Sequence, residues 1–251
     1  MTRVLPRAHI HSARLVRFLT ENALLDATRT SEDVGQKLGD WLDFRQAIAL
    51  HAVLHPEQPI EVAASPRAPR LSAEALRQHV NKVRAALEQS IVQGAPPGSG
   101  LVPISMPAAE LDEPIEPKTA FEPYRRFQAA HQRQMETVVR TLRSQLRGQL
   151  GKSSPALQQL ATLDAAFENI LSEREAALLG KVSRMFEKRF AQALKHTQAA
   201  AEAGVPPDSP LSWLLPIRQA IRTALLAELD TRLQPTLGLL EAFQAENTPE
   251  P

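Results

Sequence analysis

Arg126, Arg133, Arg140 and Arg147 recur every seven residues, with Arg143 beside them. A seven-residue step on a helix drifts only ~20°, so these side chains draw one basic stripe. Such a stripe suits phosphates or an acidic protein surface. The chain also carries its own acids to meet it, Asp164, Glu168, Glu173 and Glu175. If the helices flanking the Gly151 to Ser154 turn fold back antiparallel, Arg126 faces Glu175, Arg133 faces Glu168, and Arg140 falls within about a turn of Asp164. Intrachain pairs of this kind set register and direction while adding at most ~1 kcal/mol each when exposed. This pairing is the favoured reading of the stripe.

A second basic run follows Gly180: Lys181, Arg184, Lys188, Arg189 and Lys195, against Glu187 and Glu202 as acids. No basic partner helix needs that charge internally. These five residues are the candidate surface for an external acidic partner, set against the commoner fate of a solvated helix face.

Other constellations fail on their own chemistry, so no catalytic, cofactor or metal site is expected. Gly148 to Ser153 ends like a phosphate-binding loop, but the position of its first glycine is Leu146 and the segment follows a helix, so it reads as an inter-helix turn. His51 and His55 share a helical face, yet position 52 is Ala52, no cysteine exists, and His9 and His11 lie in another segment. Ser99 sits in a proline-rich spacer with no base fixed near it. Trp213, Leu214 and Leu215 read as a core plug rather than a membrane anchor.

The elements that would position these residues are all helical. Leu15, Phe18, Leu19 and Leu25 mark a short amphipathic helix. Thr30, three residues before Asp33, can cap a second helix to about Leu54, giving an N-terminal hairpin over 1–54. A proline-rich linker covers 55–71, and a helix with Ser72 as cap fills 72–93. Residues 94–119 read as an extended, acidic, proline-rich and disordered connector dividing the protein in two. A long antiparallel helical hairpin with C-terminal packing helices occupies 120–247. Its first helix starts at Pro123, its second runs from Ser154 toward Gly204, and a third is interrupted at Pro235.

Composition sets the outer bounds. The 251 residues allow one large domain or two small ones, and aromatics make up only 4%, a diet of Leu, Ala, Val and Ile suited to helices. With 29 basic and 28 acidic residues the formal charge is +1, so no global field draws the chain to nucleic acid or anionic lipid. Absence of cysteine removes thiol chemistry and fits a reducing compartment. No apolar run is long enough for a secretory signal or a bilayer span, so a cytoplasmic location without membrane insertion is expected.

Three stretches carry a resemblance: Ser12 to Leu54 (SARLVRFL through KLGDWLDFRQAIALHAVL), Gln132 to Phe190 (including SSPALQQLATLDAAFENIL), and Leu225 to Leu240 (LLAELDTRLQPTLGLL). Together they resemble an uncharacterised bacterial family catalogued as a domain of unknown function. The resemblance spans most of the chain outside the two linkers and names no activity. It implies a cytoplasmic accessory role in an envelope machine, because that family's genes neighbour those for proton-channel-like and outer-membrane-protein-like components. Similar members carry a proline where this chain has Ser183, which implies a bend near Gly180.

The expectation is therefore an all-α, non-enzymatic interaction or scaffold protein, acting on another protein or on itself. A nucleic-acid-associated protein using the basic helical face is the first alternative, and an enzyme without recognisable motifs the second.

Overall fold

The computed structural model describes residues 14–22, 39–55, 71–108, 116–203 and 212–247. The α-helices are α1 (Arg14–Glu21), α2 (Phe44–Leu54), α3 (Ala73–Val92), α4 (Pro117–Leu150), α5 (Pro155–Glu202) and α6 (Leu215–Asn247), with a 3₁₀ turn at Ser212–Leu214. Among the described residues there is no strand, and the all-α class holds. The Thr30 to Asp33 cap and the prolines of 56–70 lie outside the described residues.

Local chemistry explains where three of the six described α-helices start. Ser72 Oγ accepts from the Ala75 amide at 3.1 Å, and Ser154 Oγ accepts from the Leu157 amide at 3.2 Å, satisfying first-turn donors. Asp43 and Gln46 form a reciprocal capping box, with 2.7 and 3.1 Å bonds. That box corrects the expectation of one helix from about Asp33 to Leu54: the backbone is non-helical at Leu42 and Asp43, and Asp43 starts a new helix.

Two prolines behave differently from their sequence reading. The long helix begins at Pro117, so Pro123 sits inside it, and Pro235 lies within an unbroken α6. An internal proline costs about 3 kcal/mol. Both lie between heavily buried neighbours, Phe121, Tyr124 and Phe127 for one, Leu233, Thr236 and Leu239 for the other. Tertiary packing of that apolar face outweighs the lost hydrogen bond. Helix α5 likewise continues through Gly180 over 48 residues, about 72 Å at 1.5 Å per residue.

The parallel pair α4 and α6 forms the centre, with α5 and α3 each packed on both and antiparallel to them. Direction follows from paired residues: Glu175 with Arg232 and Ser154 with Glu246 across α5 and α6, His79 with Gln145 and Ser90 with Gln134 across α3 and α4. Met135, Leu142, Leu146, Phe186, Phe190, Ile221, Leu225 and Leu229 fill the core. The two helices of the expected N-terminal hairpin find partners in the C-terminal half. Helix α1 packs on α6, with Arg14 bonding Asp230 at 3.0 Å, and α2 packs on α5.

The connector is ordered over 93–108. Gly94, Gly98 and Gly100 take φ of +106°, +70° and +72°, values that β-carbon sterics make costly for other residues. These turns lay Leu101, Ile104 and Met106 against the core, where Gln134 Nε2 donates to the Val102 carbonyl at 3.1 Å and Tyr124 OH to that of Ala108 at 3.3 Å. The connector therefore packs on the bundle instead of separating two halves. Its acidic stretch, Glu110 to Glu113, lies outside the described residues.

Candidate partner surface

Helix α5 presents the second basic run to solvent. At 100° per residue, Lys181, Arg184, Lys188 and Lys195 fall within an arc of ~60° along ~21 Å of helix. Val182, Phe186, Phe190 and Leu194 are buried on the opposite side. Arg189 points ~80° away from Lys181 on the same count. All five candidate residues are exposed, and among the described residues none is paired with a carboxylate. The sequence grouping is thus resolved into a four-residue stripe plus one outlier.

The first turn of α4 comes to rest beside this stripe. Glu116, Pro117 and Lys118 from α4, with Arg184, Glu187, Lys188 and Ala191 from α5, line an open cleft of about 540 Å³. Lys118, in a connector junction, gave no sequence signal of joining Arg184 and Lys188, because the proximity comes from the antiparallel return of α5.

The first arginine stripe behaves otherwise. Arg126 bonds Glu122 at 2.9 Å and Arg140 bonds Glu136 at 2.7 Å, each within its own helix, while Arg133 is exposed. Arg126, Arg133 and Arg140 each precede by two residues a buried position: Gln128, Met135 and Leu142. Two residues are 200° of rotation, so these three point away from that buried row. The expected pairs Arg126 with Glu175, Arg133 with Glu168 and Arg140 with Asp164 do not form.

Their acids find other partners. The buried row shifts at Leu142, Leu146 and Leu150, which swings Arg143 and Arg147 toward α5. Asp164 accepts from Arg143 Nε at 2.8 Å, Arg143 Nη2 at 2.6 Å and Arg147 Nη1 at 3.1 Å. Glu168 meets Arg147 at 2.7 Å and Arg143 at 3.9 Å. Helical side chains lean toward their own N-terminus. Across an antiparallel pair, an arginine near the turn therefore reaches down to an acid that leans back up. The intrachain clasp is real, but its register lies closer to the turn than simple facing predicts.

A second polar group ties three helices. Glu228, 2% exposed, accepts from Gln132 Nε2 at 2.9 Å and Arg232 Nε at 2.8 Å, while Arg232 also meets Glu175 at 3.0 Å. Burial pushes the Glu228 carboxyl above its ordinary range, opposed by Arg232. His131 is 1% exposed beside Phe127, with Nε2 unpartnered, and burial holds its pKa down at about 4. Sequence spacing hid both, since His131 and Gln132 open a polar run to Gln134 and Glu228 lies two residues from Asp230, with nothing to mark any of them as buried.

The remaining motifs take structural places. Gly151 to Ser153 form the α4 to α5 turn, with the Lys152 amide donating to the Gln149 carbonyl at 3.2 Å. The His51 and His55 rings lie 4.7 Å apart, and among the described residues no group of three or more His, Cys, Asp or Glu could hold a metal ion. Leu214 is fully buried and Trp213 packs edge-on against Phe190 at 5.2 Å, while Leu215 is exposed. Among the described residues no helix is long and apolar enough to cross a membrane.

A family model described as "Protein of unknown function (DUF3348)" matches residues 1–245. No curated protein and no solved structure matches the chain.

Proposed function

The chain belongs to this DUF3348 family, and from that premise, which carries no activity of its own, we propose that it is a non-enzymatic helical interaction protein whose α5 stripe receives an acidic surface of another protein. One observation carries the reading. Four cations, Lys181, Arg184, Lys188 and Lys195, share one exposed face, while Asp164, Glu168, Glu175 and Glu228 are taken up by Arg143, Arg147 and Arg232. Exposed like charges repel, and a complementary surface relieves that repulsion while steering encounter. A cysteine-free chain fits a reducing compartment, and the cytoplasm is where the reading places the partner.

Affinity capture tests it with wild-type protein and a K181E/R184E/K188E/K195E variant whose helicity is matched by circular dichroism. The wild type should recover a specific partner that the variant loses. Recovery of the same partner by both forms would overturn the assignment to this face.

A further inference from the structure

We infer that the cleft between the first turn of α4 and the α5 stripe is the anchor point for an acidic, mixed-composition protein segment, its carboxylates taken by Lys118, Arg184 and Lys188. The inference rests on the reading of the stripe as a partner surface and names what that surface recognises.

Lys118 from α4 meets Arg184 and Lys188, one turn apart on α5, and among the described residues none of the three has a carboxylate partner. The backbone adds to their potential. Pro117 at the helix start has no amide hydrogen, and Glu116 makes no side-chain cap, its carboxylate accepting instead from the Thr119 hydroxyl at 3.0 Å. The Lys118 and Thr119 amides therefore remain free at the positive end of a 34-residue helix. Pro117 and Ala191 supply an apolar wall. The 540 Å³ volume suits a few side chains rather than a whole domain.

The two acids in the cleft decide the class of ligand. Glu116 and Glu187 interrupt the three cations, so a phosphate backbone charged at every nucleotide would meet both carboxylates. A protein segment can space its acids and set neutral or basic residues opposite Glu187. The stripe continues from the cleft to Lys181 and Lys195, and its ~21 Å matches about six extended residues.

The test is fluorescence anisotropy with full-length protein near physiological salt. The probes are a labelled 12-residue peptide of alternating glutamate and alanine, and a labelled seven-thymidine strand of equal charge. The peptide should bind saturably, and the strand about ten-fold more weakly. Lys188→Glu and Arg184→Glu should each weaken the peptide about ten-fold, whereas Arg133→Glu, an exposed arginine of α4 outside the cleft, should change it less than about two-fold. Equal weakening by Arg133→Glu, or tighter binding of the strand, would overturn the inference. So would absent peptide binding, and if stripe-dependent partner capture persisted, the surface would stand while its anchor at the cleft fell.

Discussion

Replacing Asp164 with Ala tests the clasp that sets the bundle's register. Its side chain is 10% exposed and accepts three guanidinium hydrogen bonds, from Arg143 twice and Arg147 once. Truncation leaves two arginines, 13% and 16% exposed, sharing Glu168 alone. Breaking a buried pair costs about 3–5 kcal/mol and a charged hydrogen bond about 1.5–3, so partial exposure brings the expectation to about 2–4 kcal/mol. For a chain of this size that is a fall in Tm of about 4–8 °C. The comparison is Arg140→Ala, whose pair with Glu136 is half exposed and intrahelical, worth under about 0.5 kcal/mol. Urea and thermal unfolding followed by helical circular dichroism read both. Equal, small losses in the two variants would refute the assignment of register to Asp164.

Other substitutions probe the buried polar groups and the prolines. His131 binds a proton more weakly folded, at about 4, than unfolded, at 6.5, so stability should fall by up to about 3 kcal/mol as pH drops through that window. His131→Leu should flatten that dependence in urea midpoints measured against pH. Glu228 has the opposite sign: its folded pKa is raised, so it favours the fold below 4.5 and loses that contribution as pH climbs through the raised value. Glu228→Gln should accordingly make stability rise more steeply with pH above 4.5. Pro235→Ala restores an amide within α6 and should stabilise by about 1–3 kcal/mol, read as a higher Tm.

Much of the architecture is legible because apolar spacing encodes helix faces directly. Leu76, Val80, Leu87 and Ile91 are buried as their steps require, and the Ser72 and Ser154 caps form. Internal prolines were harder, since Pro123 and Pro235 are local penalties that only long-range packing can offset. The arginine stripe misled for a different reason. Its seven-residue period is visible, but its phase against the buried row at Gln128, Met135 and Leu142 decides whether it faces in or out. That phase was available in the sequence. The meeting of Lys118 with Arg184 and Lys188 was not, because it depends on how far α5 returns along α4.

The partner surface is tested most directly by placing a photocrosslinking amino acid at Gln192, a neutral, exposed position of α5 that rotation sets beside Lys181 and Lys188. Ser144, exposed on α4, serves as the control position. After irradiation in living cells, Gln192 should yield a discrete crosslinked partner that maps to an acidic segment and disappears when Lys188 is reversed to Glu. Crosslinking of equal strength from Ser144, or a Gln192 adduct indifferent to Lys188→Glu, would contradict it.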